Sequence, residues 1–147
     1  MLTLLLTFSP SIALAQSGGA VATSEAFASV ATAGILEKGG NAIDAAVAAS
    51  FALAVTYPAA GNLGGGGFLL YRSKEGQSYF MDFREVAPSA AHSKMYLDND
   101  GKPNPSASRQ GWKAVGVPGS VAGMAEAHRR WGRLSWEQVL APSIWLA

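Results

Sequence analysis

The sequence predicts an α+β chain. Small and apolar residues recur at helical spacing between residues 24 and 56. A period of two runs through residues 78–85 after a glycine-rich break, and helix-capping signals return after Pro118. Helical segments thus flank a β-hairpin.

The N-terminus reads as a leader. Leu2 to Phe8 form a short apolar run, Ser9, Pro10 and Ser11 break it, and Ala13-Leu14-Ala15 follows. An apolar run before a small-x-small triplet is how a secretory signal ends, so residues 1–15 are expected to leave and Gln16 to start the mature chain. No Lys or Arg precedes the run, which keeps an upstream start or an ordinary N-terminal segment open. The run is too short to span a membrane. Residues 16–147 then form one unit, opening with a linker from Gln16 to Gly19 and a short strand from Ala20 to Thr23.

Thr23 or Ser24 is expected to cap the first helix. Phe27, Val30, Ala31, Gly34 and Ile35 would form its apolar face, with Lys38 in the last turn and Gly39-Gly40 as a left-handed stop. Asn41 with Asp44 makes a capping box for a second helix. From Ala45 to Val55 that helix is apolar except for Ser50, so it needs cover on all sides. Tyr57-Pro58 ends it.

Residues 61–67 carry five glycines in seven positions, which is neither helix nor ordinary strand. Strands at Phe68 to Arg72 and Ser78 to Glu85 follow, joined by a turn carrying Glu75-Gly76. Tyr79, Met81 and Phe83 are expected on one side of the second strand, and Phe80, Asp82 and Arg84 on the other. Residues 89 to 97 have room for one helical turn. Asp98-Asn99-Asp100-Gly101, then Pro103 and Pro105, make a surface loop. A third helix opens at Pro118-Gly119 and stops at Gly132. Ser135 with Gln138 caps a fourth, which shows no stop signal before Ala147.

Composition narrows the function classes. With 49% hydrophobic and 14% charged residues the chain is globular, not disordered. A net charge of +1 without a basic stripe gives no nucleic-acid surface. The absence of cysteine excludes disulfides, thiol catalysis and Cys-based zinc sites. No metal site and no cofactor are implied. His92 and His128 lack a serine-hydrolase setting, and Asp98 and Asp100 fit a turn better than a calcium loop. The glycine run lacks the ending of a P-loop and precedes a strand, so it serves the backbone more readily than a phosphate. Arg84, flanked by Asp82 and Glu85, is the charge of most interest. It has two readings: an ion pair at a strand end, or a donor fork suited to a carboxylate.

Four blocks carry a family resemblance. Lys38-Gly39-Gly40-Asn41-Ala42-Ile43-Asp44-Ala45-Ala46-Val47-Ala48 resembles the opening signature of the γ-glutamyltransferases (glutathione hydrolases). So do Gly61-Asn62-Leu63-Gly64-Gly65-Gly66-Gly67-Phe68, Asp82-Phe83-Arg84-Glu85-Val86-Ala87-Pro88 and Gly116-Val117-Pro118-Gly119-Ser120-Val121-Ala122-Gly123. They stand in the family's order and at its spacing.

The resemblance implies an N-terminal-nucleophile hydrolase fold, an αββα sandwich, of which this chain is the N-terminal portion of the large subunit. It implies a precursor that cuts itself, and a small subunit whose first threonine attacks γ-glutamyl amides such as glutathione, activated by its own α-amine. It gives Arg84 as the contact to the substrate α-carboxylate, with Asp82 and Glu85 as supporting groups. None of Thr3, Thr7, Thr23, Thr32 and Thr56 matches the family's processing site. The expected partners are the small-molecule substrate and the small subunit, with no nucleic acid and no membrane span after leader removal. The expected compartment is periplasmic or extracellular. The polypeptide alone is expected to be inactive and poorly soluble. The alternatives are a related amidase acting on cephalosporin side chains or poly-γ-glutamate, and a non-catalytic module that keeps only the carboxylate grip.

Overall fold

The computed structural model describes Leu14–Gln16 and residues 19–147, so the apolar run of the expected leader lies outside the described residues. The chain divides into two compact units. One runs from the N-terminal stretch to Leu63 and resumes at Met124–Ala147; the other is Gly64–Gly123. Helices and short antiparallel pairs coexist, as the α+β reading expects.

In the first unit, β1 (Leu14–Gln16) pairs antiparallel with β2 (Gly19–Val21), with Gln16 opposite Gly19. Both ends of the expected linker therefore belong to strands. Glycine permits this at position 19, where a Cβ would stand 2.8 Å from Leu36 Cδ1.

Helix α1 (Ala26–Glu37) starts one residue later than a Ser24 cap and two later than a Thr23 cap would give, because Glu25 is the cap. The Glu25 carboxylate accepts from the amides of Phe27 and Ala28 at 3.0 Å each. Thr23 instead turns its hydroxyl to the Glu25 carbonyl and to Ser29 Oγ. The buried face also differs from the expected one: Ala28, Ser29, Thr32, Ala33 and Ile35 are buried, whereas Phe27 and Val30 are 66% and 60% exposed. Small residues let a neighbouring helix approach closely, and both buried hydroxyls are satisfied locally, Thr32 by donating to the Ala28 carbonyl at 2.6 Å. The glycine stop is as expected, although Lys38 is the C-cap and not a residue of the last turn. Gly39 has φ +87°, and the amides of Gly39 and Gly40 close onto Leu36 and Ile35.

Helix α2 (Ala42–Thr56) carries the expected Asn41/Asp44 box. Ile43, Asp44, Ala45, Val47, Ala48 and Ala52 are buried, while Ala46, Ala49, Ser50, Leu53 and Ala54 are only partly so. The complete cover expected for this helix is thus not reached. Gly61 packs onto its C-terminal half, where a Cβ would meet the Leu53 carbonyl oxygen at 2.1 Å.

Helices α3 (Ser120–Trp131) and α4 (Trp136–Leu146) complete the helical set, the latter with the expected Ser135/Gln138 box. Phe51 of α2 meets Trp136 edge-on at 5.7 Å. Among the described residues no helix is long and apolar enough to cross a membrane.

In the second unit, β3 (Phe68–Arg72) pairs antiparallel with β4 (Ser78–Asp82), with Phe68 opposite Asp82 and Leu70 opposite Phe80. Gly76 takes φ +85° in the turn. The expected alternation holds: Tyr79, Met81 and Phe83 are half-buried, and Phe80, Asp82 and Arg84 are exposed. β4 ends at Asp82, three residues short of the expected Glu85, because the Phe83 amide donates to the Gly67 carbonyl and pairing resumes only where Val86 bridges Val117. Residues 89–97 form isolated turns in place of a helical one, with amides of Ala91 and Met95 reaching back to Pro88 and His92. The aspartate loop is a bridged turn, with Leu97 against Pro103.

Candidate functional site

Arg84 sits just past β4, where Gly66 and Gly119 close on the Phe83-Arg84 backbone and Gly123 on the Phe83 side chain. A Cβ on Gly66 would lie 2.6 Å from Arg84 Cα and 2.7 Å from the Phe83 carbonyl oxygen. On Gly119 it would lie 2.0 Å from the same oxygen and 3.2 Å from that of Arg84. On Gly123 it would lie 2.2 Å from Phe83 Cγ. No side chain fits in these gaps, so the Phe83-Arg84 backbone is clasped between the glycine run and the segment opening α3.

Hydrogen bonds tie the clasp together. The amides of Gly119 and Ser120 both donate to the Gly65 carbonyl, at 2.8 and 3.0 Å, and Phe83 N donates to the Gly67 carbonyl at 3.0 Å. Val86 and Val117 exchange a reciprocal pair at 3.1 and 2.8 Å. The glycines thus serve the backbone, which is the second of the two uses open to them.

The three predicted site residues lie together. Asp82 Oδ1 accepts from the Arg84 amide at 2.9 Å, so it fixes the arginine's main chain and not its guanidinium. Glu85 packs its side chain beside Gly116. Among the described residues neither carboxylate is within ion-pair distance of the guanidinium, which sets aside the strand-end ion pair. The guanidinium instead lies over Phe68, with Cζ 5.9 Å from the ring centroid. Phe68 stacks in turn on Phe80 at 5.7 Å and 23°. The donor fork is therefore open to solvent, in a form that grips a carboxylate by two parallel hydrogen bonds.

The remaining candidates serve structure. Asp98 Oδ1 accepts from the amides of Asp100 and Lys102, which makes a turn. The Thr56 hydroxyl donates to Ala52 and that of Thr32 to Ala28, while Thr3 and Thr7 lie outside the described residues. Among the described residues no three His, Asp or Glu side chains group as a metal site.

His128 belongs to a buried knot in the first unit. Asp44 is fully buried and accepts from Asn41 N at 2.8 Å, from Arg133 N at 3.0 and 3.1 Å and from Leu134 N at 3.4 Å. His128 Nε2 stands 3.0 Å from the Leu134 carbonyl and 3.5 Å from Asp44 Oδ1. Both neighbours are acceptors, so Nε2 carries the proton. Asn41 Nδ2 donates to Trp131 O at 2.6 Å. The capping box was legible in the sequence, whereas its reach to residues 131–134 was not.

A family model described as gamma-glutamyltranspeptidase matches residues 28–147. The glutathione hydrolase proenzyme of Pseudomonas aeruginosa is 53% identical over 137 residues, covering 92% of this chain and 24% of that protein. The gamma-glutamyltranspeptidase of Pseudomonas nitroreducens, solved with L-DON, matches with a TM-score of 0.83 and 51% identity over 90% of this chain and 39% of that one. That of Helicobacter pylori matches with a TM-score of 0.85 and 46% identity over 91% of this chain and 38% of that one. The described residues share the fold of those enzymes, the N-terminal-nucleophile hydrolase fold expected above. The chain spans about a quarter of the length of the curated relatives it matches.

Proposed function

Because the chain belongs to the γ-glutamyltranspeptidase family, we propose that it supplies the substrate α-carboxylate grip of an enzyme that hydrolyses and transfers γ-glutamyl groups, with glutathione as donor. Arg84 is the grip. One observation carries this reading: the Arg84 backbone is clasped on both sides while, among the described residues, no carboxylate stands within ion-pair distance of its guanidinium. A fixed origin and an open fork are what recognition of a planar carboxylate needs.

The chemistry itself belongs to a threonine outside this chain. In the proposed enzyme a precursor cleaves itself, and the new N-terminal threonine takes the γ-glutamyl group as an ester. The freed amine leaves with the proton that the threonine α-amine collected. Water or an acceptor amine then resolves the ester. Arg84 acts earlier, since holding the α-carboxylate sets the γ-carbonyl at a defined distance from the nucleophile. The names of relatives, "glutathione hydrolase proenzyme", support both the donor and the processed precursor. Asp82 holds Arg84 through its amide, and Glu85 packs beside Gly116.

The test is Arg84→Ala and Arg84→Lys in the full-length processed enzyme, read as KM for a γ-glutamyl anilide. Losing a charge-assisted pair of about 1.5–3 kcal/mol should raise KM by roughly ten- to a hundredfold, with lysine recovering only part. An unchanged KM in Arg84→Ala would overturn the assignment.

The same reading includes export to the periplasm or the medium after cleavage behind Ala15, supported by the apolar run and the Ala13-Leu14-Ala15 triplet. Such a cut removes two of the three residues of β1 and frees the edge of β2. N-terminal sequencing of the mature protein tests it: Gln16 first supports it, and an intact Met1 refutes it.

A further inference from the structure

We propose that Phe68 is the positioning residue for the Arg84 guanidinium: its ring, backed by Phe80, holds the cation so that the donor fork faces outward to the ligand. This rests on the reading of Arg84 as the carboxylate grip.

The strand register places the three side chains. Phe68 pairs with Asp82, and Leu70 with Phe80. Residues 80, 82 and 84 share one face, so Phe80 and Arg84 flank Phe68 on its two diagonals, within reach for aromatic and long side chains. Phe80 takes one diagonal at 5.7 Å, and the Arg84 guanidinium takes the other at 5.9 Å.

Both rings are largely exposed, at 56% and 62%. Their stack ends on a cation, the Arg84 guanidinium. A carboxylate partner would fix Arg84 equally well, but it would occupy the N–H donors and neutralise the charge that a substrate needs. A ring face attracts the cation through its quadrupole and accepts no in-plane donor. Asp82 spends Oδ1 on the Arg84 amide. Main chain and side chain are thus held by different groups, and neither blocks the fork.

The experiment uses the full-length processed enzyme with Phe68→Leu and Phe68→Tyr, each alone and with Arg84→Ala. Two donors are compared, a γ-glutamyl anilide with a free α-carboxylate and its α-methyl ester. Leucine keeps an apolar side chain but removes the ring face, and tyrosine keeps the face. Phe68→Leu should raise KM for the free acid about two- to fivefold, the scale of an exposed cation–π contact, with kcat and the ester KM moving less than twofold. Phe68→Tyr should restore the wild-type KM. In the Arg84→Ala background, Phe68→Leu should add nothing. Equal losses on both donors, a fall in kcat alone, or effects that add to those of Arg84→Ala would overturn the proposal while leaving the grip intact. If Arg84→Ala leaves the preference for the free acid unchanged, the grip reading falls and this one with it. Should Phe68→Leu fail to mature, Phe68→Met makes the same comparison.

Discussion

Replacing Asp44 with alanine should loosen the junction between α2 and the turn joining α3 to α4, by an amount that follows from its partners. The carboxylate is fully buried and satisfies the amides of Asn41 at 2.8 Å and of Arg133 at 3.0 and 3.1 Å, with a weaker contact to Leu134 at 3.4 Å. A methyl group reaches none of them. Stranding a buried amide costs about 1–3 kcal/mol, so two good bonds and one poor one set a loss of about 3–5 kcal/mol, a large share of an ordinary stability. Asp44→Asn keeps one oxygen for Arg133 but turns N–H groups toward the other donors, which should cost about 1–2 kcal/mol. The assay is amide hydrogen exchange in the full-length enzyme, resolved for segments 39–46 and 130–137. A local loss of 3 kcal/mol or more speeds exchange by roughly a hundredfold or more in both segments together, because one carboxylate protects both. Acceleration in segment 39–46 alone would show that Asp44 is only a helix cap. Equal effects of alanine and asparagine would refute the counting of acceptors.

The remaining predictions concern other parts of the chain. Gly119→Ala places a methyl group 2.0 Å from the Phe83 carbonyl oxygen and should displace Arg84, raising KM for free-acid donors, whereas Gly64→Ala meets nothing within 4 Å and should leave KM as it is; steady-state kinetics on the two variants decides it. Glu126 accepts from Arg129 at 2.7 Å and Arg130 at 2.6 Å, and these hydrogen bonds, Arg129 first, lower its pKa from 4.5 to about 2. Its contribution to stability is therefore present above about pH 4.5 and lost as pH falls through about 2. Carboxyl-carbon NMR should find it ionised at about pH 3.5 in low salt, with the midpoint rising in about 1 M salt because the pairs are solvent-exposed; a low-salt midpoint near 4.5 refutes this. The polypeptide of residues 16–147 by itself should show no γ-glutamyl hydrolase activity and poor solubility, since α2 keeps an incompletely covered flank. A soluble monomer with a cooperative unfolding transition would contradict the second part.

What the sequence revealed was mostly local. Both capping boxes, the Gly39-Gly40 stop and the alternation along residues 79–84 each depend on near neighbours in sequence, so their chemistry is visible in the string. The α1 face was misread because its largest residues, Phe27 and Val30, dominate a hydrophobicity count, whereas the contact uses Ala28, Ser29, Thr32 and Ala33. Close helix approach rewards small residues, which period counting undervalues. Glu25 was passed over as a cap because hydroxyl residues precede it, yet its longer carboxylate reaches two amides. Phe68 was invisible as a partner of Arg84, because the pair exists only once β3 and β4 settle into register.

The four family blocks also resolve into two physical devices. The glycine run, the segment 82–88 and the segment 116–123 lie far apart in sequence, yet all three close on the Phe83-Arg84 dipeptide: Gly66 and Gly119 on its backbone, Gly67 and Gly123 on the Phe83 ring, Val117 on Val86. Their glycines are therefore not interchangeable with flexible linkers, since at Gly66, Gly119 and Gly123 a Cβ would fall 2.6 Å or less from a neighbouring atom. The block from Lys38 to Ala48 belongs to the other device. Its Asn41 and Asp44 bind the chain at residues 131–134. A substitution in that block should accordingly act on stability and leave the donor's carboxylate preference alone, whereas one in the other three should alter that preference even when the protein remains folded.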